Sequence, residues 1–109
     1  EFTLGEISAL ISKRYPKVIA SDRKLIVKTY FDLIKMIDKA NIAIDISIRQ
    51  LINVMDFISA GMDKKDAFDQ AIVMFLDAAS LPDLKNSFTA CISLNFPELL
   101  NPKEKVSNG

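Results

Sequence analysis

The sequence predicts an all-α fold, a compact bundle of about five helices in one domain. Its 109 residues suffice for one domain and leave no room for two. Apolar residues make up 50% of the chain and recur at helical spacing, and only three glycines and four prolines interrupt them. A chain of this composition can bury a hydrophobic core, which argues against global disorder.

The first helix is marked at both ends. Thr3 and Glu6 form a T-x-x-E capping box, which predicts a helix over residues 4–15. Pro16 ends it, because proline has no N–H to donate and its ring clashes with the preceding turn. The apolar positions that would face the core are Ile7, Leu10 and Ile11.

The second helix is the longest one predicted. Ser21 or Asp22 would cap it, and its periodicity continues to Ala40. Its core-facing stripe, widened by Val27 and Phe31, is Ile26, Tyr30, Leu33, Ile34 and Ile37. The segment that follows, residues 41–47, alternates apolar and polar side chains, which predicts an extended connector or a short strand.

A third helix is predicted over residues 48–60. Ser47 and Gln50 repeat the capping-box pattern, although Asp45 could cap instead. Gly61 follows at the position where a left-handed backbone conformation favours glycine. The inward positions are Ile48, Leu51, Ile52, Met55 and Ile58.

The fourth helix, residues 64–79 behind an Asp63 cap, has the most regular amphipathic pattern. Its apolar positions recur at intervals of three and four: Phe68, Ala71, Ile72, Phe75, Leu76 and Ala79. Ile72 and Phe75 lie at the centre of this stripe, so both are predicted to be core residues.

A fifth helix is predicted to start at Ser80 and Pro82, because proline is favoured in the first turn of a helix. Its inward positions are Leu84, Phe88, Cys91 and Ile92. Helical periodicity is lost after Phe96. The predicted domain therefore covers residues 1–96, and residues 97–109 are expected to form a frayed tail or linker.

Composition excludes the common kinds of self-contained active site. The chain has no histidine and one cysteine, Cys91, which rules out His-assisted nucleophilic catalysis, a disulfide framework and nearly all zinc chemistry. Cys91 lies among apolar residues, so a structural thiol is expected. The three glycines are far apart, so no glycine-rich phosphate loop exists. The chain alone is therefore not predicted to be an enzyme.

Metal and membrane partners are not predicted either. Asp66 and Asp69 lie one helical turn apart, but a solvated helix face explains this pair better than a metal site. No apolar run approaches the roughly 20 residues of a membrane-spanning helix. With no signal-peptide pattern, a cytoplasmic protein is expected.

Charge is balanced overall and uneven along the chain. Residues 1–40 carry eight basic and five acidic groups, and residues 41–109 carry six basic and nine acidic groups. A basic cluster brackets the first turn: Lys13, Arg14, Lys17, Arg23, Lys24 and Lys28. Such a cluster could contact the phosphates of RNA or DNA, but no nucleic-acid motif accompanies it, so solvated helix ends are the favoured interpretation.

Arg49 departs from the usual pattern of a helix start. It lies in the first turn of the third helix, two residues after Ser47. That end of a helix is partially positive, so a cation there costs a few tenths of a kcal/mol. Either Arg49 pairs with Asp45 or Asp56, or it awaits an anion that binds at this helix start.

Residues 44–73, IDISIRQLINVMDFISAGMDKKDAFDQAIV, resemble the C-terminal helical lid of AAA+ ATPases of the MoxR type, a group that includes the CbbQ, NorQ and gas-vesicle N branches. In those lids Ser-x-Arg opens a helix that a glycine closes, and here Ser47, Arg49 and Gly61 take these places. The next helix of such lids carries alanine on its inner face, as at Ala67 and Ala71. The resemblance covers about residues 6–80, and Ile48 and the fifth helix depart from it.

This resemblance implies a nucleotide-binding role. Arg49 would be similar to the sensor-2 arginine, which reaches the terminal phosphate of ATP, with Ser47 beside it at the helix start. ATP and Mg²⁺ would be bound mainly by a P-loop core outside this chain. The resemblance also implies that the complete protein forms a homo-oligomeric ring, a hexamer, which remodels a client protein. The alternative is an autonomous helical protein–protein interaction domain with no nucleotide role.

Overall fold

Helices and one π-helical turn account for most of residues 3–97, the part of the chain that the computed structural model describes. In chain order they are α1 (Leu4–Arg14), α2 (Ala20–Ala40), α3 (Ile48–Ser59), α4 (Lys64–Phe68), the π turn (Asp69–Val73), α5 (Met74–Ala78) and α6 (Pro82–Asn95). α4, the π turn and α5 follow one another without a break. The predicted all-α bundle of about five helical units is therefore confirmed. No strand occurs within residues 3–97, so the segment 41–47 is a connector.

The predicted caps of the first and fourth helices are present. The Thr3 amide donates to Glu6 Oε1 at 2.8 Å, and the Glu6 amide donates to Thr3 Oγ1 at 3.1 Å, which completes the capping box. Asp63 accepts a hydrogen bond of 3.1 Å from the Lys65 amide and caps α4. These contacts satisfy amides that have no partner within their own helix.

Gly61 ends α3 as predicted. Its φ is +105°, a left-handed value that only glycine adopts without strain. The Gly61 amide donates to the Ile58 carbonyl at 3.0 Å, and the Met62 amide donates to the Phe57 carbonyl at 2.9 Å. This pair of bonds is a Schellman motif, which turns the chain tightly into α4.

The predicted start of α2 is wrong. The helix begins at Ala20, and Ile19 occupies the N-cap without a side-chain hydrogen bond, so Ser21 and Asp22 lie inside the first turn. The preceding loop sets this start, because the Arg23 guanidinium donates to the carbonyls of Tyr15 and Val18. The tertiary contact of Arg23 thus overrides the local preference for a serine or aspartate cap.

The start of α6 also differs by one residue from the prediction. Pro82 is in the first turn, as expected, but Leu81 occupies the N-cap. Ser80 has a φ of +59° and belongs to the tight turn before it. At the other end Phe96 packs against Phe68, with ring centroids 5.7 Å apart. The predicted tail, residues 97–109, lies outside the described residues except for Pro97.

One core joins all the helices. α2 packs against α1 and α6, α6 packs against the π turn and α5, and α3 packs against α4 and the π turn. The largest fully buried side chains are Phe68, Phe88, Phe96, Ile11, Ile26, Leu33, Leu51, Met55, Ile72 and Leu76. Thr29 is a buried polar residue whose hydroxyl donates to the Leu25 carbonyl and accepts from Asn95 Nδ2, both at 2.8 Å. That pair of bonds ties α2 to α6 and avoids an unsatisfied polar group.

The π turn corrects the predicted core of the fourth helix. The Met74 amide bonds to the Asp69 carbonyl five residues earlier, so one extra residue enters this turn. The inward face then shifts by one position, and Val73 and Leu76 are buried while Phe75 is 43% exposed. The predictions that Phe75 and Ala79 belong to the core are therefore wrong. Ile72, which precedes the shift, is buried as predicted.

Candidate functional site

The start of α3 is fastened to the rest of the bundle on two sides. Before the helix, the Tyr30 hydroxyl donates to the Ile46 carbonyl at 3.0 Å. Ser47 and Gln50 form the predicted capping box, in which the Ser47 amide donates to Gln50 Oε1 at 2.9 Å. Gln50 Nε2 also reaches the Ala71 carbonyl at 3.5 Å, at the π turn. The connector and the first turn of α3 therefore have a defined position.

Arg49 is exposed on this fixed helix start. The first turn of α3 contains no acidic residue, so nothing in it offsets the positive end of the helix. Within residues 3–97 Arg49 makes no ion pair. Its guanidinium is thus available to an anion that approaches from solvent.

Within residues 3–97, Arg49 does not form the structural ion pair with Asp45 or Asp56 that was the alternative to anion binding. Asp56 is instead the acceptor of a hydrogen bond of 2.5 Å from the Tyr15 hydroxyl. Asp45 is exposed and lies in the connector, without a bond to Arg49. Arg49 shares an exposed polar face of α3 with Asn53 and Asp56.

The chemistry available at this site is anion binding. Amides of the first helical turn lack helical partners and point along the axis toward the N-terminal end. Arg49 adds a planar cation with several N–H donors, a group that binds carboxylate or phosphate oxygens in pairs. Ser47 is exposed at the same end, and its hydroxyl, which now donates to Gln50 Oε1 over 3.5 Å, can rotate to donate to an anion instead.

The basic cluster around the first turn divides into two parts. Arg23 is used internally by the loop carbonyls, and Lys28 pairs with Asp32 at 2.8 Å. The other four residues are exposed and make no ion pair within residues 3–97: Lys13, Arg14, Lys17 and Lys24. Arg14 lies over the Tyr15 ring at 5.9 Å, within the range of a cation–π contact. The cluster is therefore a smaller basic surface than the sequence suggests.

Cys91 is half-buried, so the predicted inward position is reached only in part. Burial raises the pKa of its thiol, and the Asp32 carboxylate raises that pKa further, while Lys28 opposes both. The thiol therefore stays protonated at neutral pH, which disfavours a nucleophilic role.

The surroundings of the acidic pair and the lengths of the helices are described for residues 3–97. Asp66 and Asp69 are exposed, and residues 3–97 hold no group of three potential ligands that could bind a metal ion. Within the same residues, none of the helices combines the length and the apolarity that crossing a bilayer requires.

A second surface feature, a groove beside the α1–α2 loop, was not predicted from the sequence. Its volume is about 500 Å³, and it lies between that loop and the C-terminal end of α3. Ile19 stands at its edge and is 66% exposed. The sequence feature that could have indicated this groove is Ile19, an apolar residue in a loop bounded by Pro16 and charged residues.

Comparison with known proteins adds no further assignment. No family model, curated protein or solved structure is significantly similar to this chain.

Proposed function

We propose that this chain is the helical lid of a AAA+ ATPase of the MoxR type, in which Arg49 binds the terminal phosphate of ATP. The P-loop core of the same protein would hold ATP and Mg²⁺, and this chain would supply the lid side of the site. The observation that carries the proposal is the state of Arg49: exposed, unpaired within residues 3–97 and placed at the start of a well-anchored helix.

Arg49 would act by charge and by position. As the bond to the γ-phosphate breaks, negative charge must be stabilised on phosphate oxygens, and a preorganised arginine does so without reorganising solvent. Beside it, Ser47 would contribute either a hydrogen bond from its hydroxyl or the backbone amides of the helix start that it caps. The other catalytic groups, including those that hold Mg²⁺ and activate water, would belong to the core.

The anchoring of α3 suggests how the lid would report nucleotide state. Tyr30 joins the connector to α2, and Gln50 joins the first turn of α3 to the π turn. A movement of Arg49 toward the phosphate would therefore carry the whole bundle as one body. In a ring-forming homo-oligomer in the cytoplasm, such a rotation would be passed to a client protein.

The first test is the sequence encoded directly before Glu1 in the natural gene. A P-loop and a Walker B segment are expected there. Their absence would reject the lid and favour the autonomous interaction domain.

The second test is ATP turnover by the complete protein. Arg49→Ala is expected to lower turnover by one or more orders of magnitude, since a charge-assisted contact in a closed site is worth several kcal/mol. Arg49→Lys should recover part of it, because the charge is kept and the paired geometry is lost. Lys35→Ala, an exposed cation on α2, is the control and should leave turnover unchanged. Full activity of Arg49→Ala would end the proposal.

A further inference from the structure

The groove beside the α1–α2 loop is lined mainly by apolar side chains. Tyr15 and Val18 form the loop side, and Ile58 in the last turns of α3 forms the other side. Ile19 stands at the edge with two thirds of its side chain exposed to solvent. Nine positions of α3, about 13 Å along the helix, separate Ile58 from Arg49. The groove is therefore a different surface from the proposed nucleotide site.

Ile19 is unfavourable for stability on two counts. It exposes a large aliphatic side chain, and it occupies the N-cap of α2, where isoleucine is among the least suitable residues. A serine or aspartate at this position could cap the helix and would lose only the apolar contact of the smaller, buried part of the Ile19 side chain. Residues that break local preference without a structural gain are expected at functional surfaces.

The rim of the groove is positively charged. Arg14 and Lys17 line it and are exposed. The lining residue of opposite charge is Asp22, and the Lys64 ammonium lies 3.4 Å from its carboxylate. The groove therefore presents aliphatic walls with an excess of positive charge at the edge.

The walls are held in place before any ligand binds. The Arg23 guanidinium bonds to the Tyr15 and Val18 carbonyls, which fixes the loop. The Tyr15 hydroxyl bonds to Asp56, which fixes the loop to α3. A groove that is already ordered loses little conformational entropy when a ligand binds.

We infer that this groove binds an acidic peptide segment of a partner protein, with an aliphatic side chain against Ile19 and Ile58 and carboxylates at Arg14 and Lys17. This goes beyond the proposed nucleotide role and does not depend on it. Charge complementarity selects an acidic segment, and the aliphatic walls select an apolar residue within it.

The same features favour a peptide over a nucleic acid. Nucleic-acid binding relies on many phosphate contacts and on aromatic rings that stack with bases. Here Arg23 bonds to loop carbonyls and Lys28 pairs with Asp32 on the surface, which reduces the net positive charge of the cluster, and Tyr15, the aromatic residue of the lining, is 7% exposed. Neither a long cationic track nor an open stacking platform is present at this groove.

The experiment is a titration of the isotope-labelled 109-residue chain, followed by amide NMR shifts. The probe is a capped peptide with two leucines flanked on both sides by glutamates. Shifts should centre on residues 14–19 and 58–59. Two control peptides, with the leucines changed to serine or the glutamates changed to lysine, should bind about fivefold or more weakly.

Matched variants test the residues. Ile19→Ser and Lys17→Glu should each weaken the peptide by about fivefold or more. Leu94→Ser, which alters another exposed aliphatic residue, and Lys35→Glu, which makes the same charge change on α2, should stay within about twofold.

Several results would overturn the inference. They are an absence of shifts at millimolar peptide, shifts centred elsewhere, unchanged affinity of Ile19→Ser, or tighter binding of a single-stranded oligonucleotide than of the peptide at the same groove. Concentration-dependent self-association through these residues would also reject it in favour of a second copy. ATP turnover is not a readout here, so failure of the groove leaves the Arg49 proposal standing.

Discussion

The Tyr15 hydroxyl donates a hydrogen bond of 2.5 Å to Asp56 Oδ1 and lies 3.4 Å from the Ile52 carbonyl. The two side chains are 41 positions apart in sequence, and their bond joins the end of α1 to α3. Its acceptor, Asp56, lies on the same exposed face of α3 as Arg49 and makes no ion pair with it. The Tyr15–Asp56 contact thus supports the groove wall.

Removing that hydroxyl should destabilise the fold modestly. Tyr15→Phe keeps the ring and loses a hydrogen bond to a charged acceptor, for which about 1–2 kcal/mol is expected because Asp56 remains accessible to water. Urea unfolding measures this free energy. Asp56→Asn is the matched change, and the double variant should show coupling, because the two residues share one bond. Additive losses would mean that the contact contributes nothing.

The same tyrosine should make stability sensitive to alkaline pH. Burial raises the pKa of Tyr15, and the hydrogen bond to Asp56 raises it further, so the unfolded chain loses this proton first. The contribution is complete below about pH 10 and is lost as the pH rises toward the folded-state pKa. Unfolding free energies between about pH 9 and pH 11 should therefore fall less steeply in Tyr15→Phe than in the natural chain. Equal slopes would contradict this.

Residues close together in sequence predicted the start of α3 well, whereas contacts between residues far apart in sequence were not predicted. The capping residues Ser47 and Gln50 lie three positions apart, so one turn of helix contains the whole pattern. The unusual position of Arg49 also depends on that turn alone, because its positive charge lies at the partially positive end of the helix. The Tyr15–Asp56 bond depends on how two helices meet, which no short-range period encodes. The start of α2 was missed for a different reason, because the Arg23 guanidinium bonds to carbonyls of the preceding loop, which a capping pattern does not encode.

The π turn illustrates a second limit of sequence reasoning. Apolar spacing from Phe68 to Ala79 fits an ordinary α-helix, and no residue in it marks an extra turn position. The helix packs against α3 and α6 with Val73 buried and Phe75 exposed, which the α-helical spacing alone does not indicate. The pattern therefore predicted the helix and the burial of Ile72 and Leu76 correctly, but it placed Phe75 in the core where the structure buries Val73.

The register of this helix can be tested by changing two neighbouring residues, Leu76 and Phe75, to alanine in separate variants. Leu76→Ala should cost about 2–5 kcal/mol, because the side chain is fully buried and a cavity would remain. Phe75→Ala should cost well below the about 3–5 kcal/mol of a buried phenylalanine, since 43% of its surface is already exposed. Chemical denaturation of both variants gives the comparison. A larger loss for Phe75→Ala would show that the helix is α-helical throughout.

Ile19→Ser should raise stability. The serine hydroxyl can accept from an amide of the first turn of α2, where no side chain now does so, and the lost apolar contact is small. A gain of about 0.5–1 kcal/mol is expected, or a rise of a few degrees in the melting temperature. Leu94→Ser, without a capping role, should give no such gain. A destabilised Ile19→Ser variant would indicate that this side chain supports the fold rather than a partner.

Arg49→Glu should stabilise the 109-residue chain while removing the proposed phosphate contact. A carboxylate in the first turn of α3 interacts favourably with the positive end of the helix, and the exposed arginine has no ion pair within residues 3–97 to lose. The expected gain is about 0.3–1 kcal/mol at low ionic strength, and it should diminish as salt is added. Thermal unfolding at two salt concentrations measures both effects, with Lys35→Glu as the control for net charge. A stability gain together with loss of ATP turnover in the complete protein would assign Arg49 to ligand binding. A loss of stability would instead assign it to the fold.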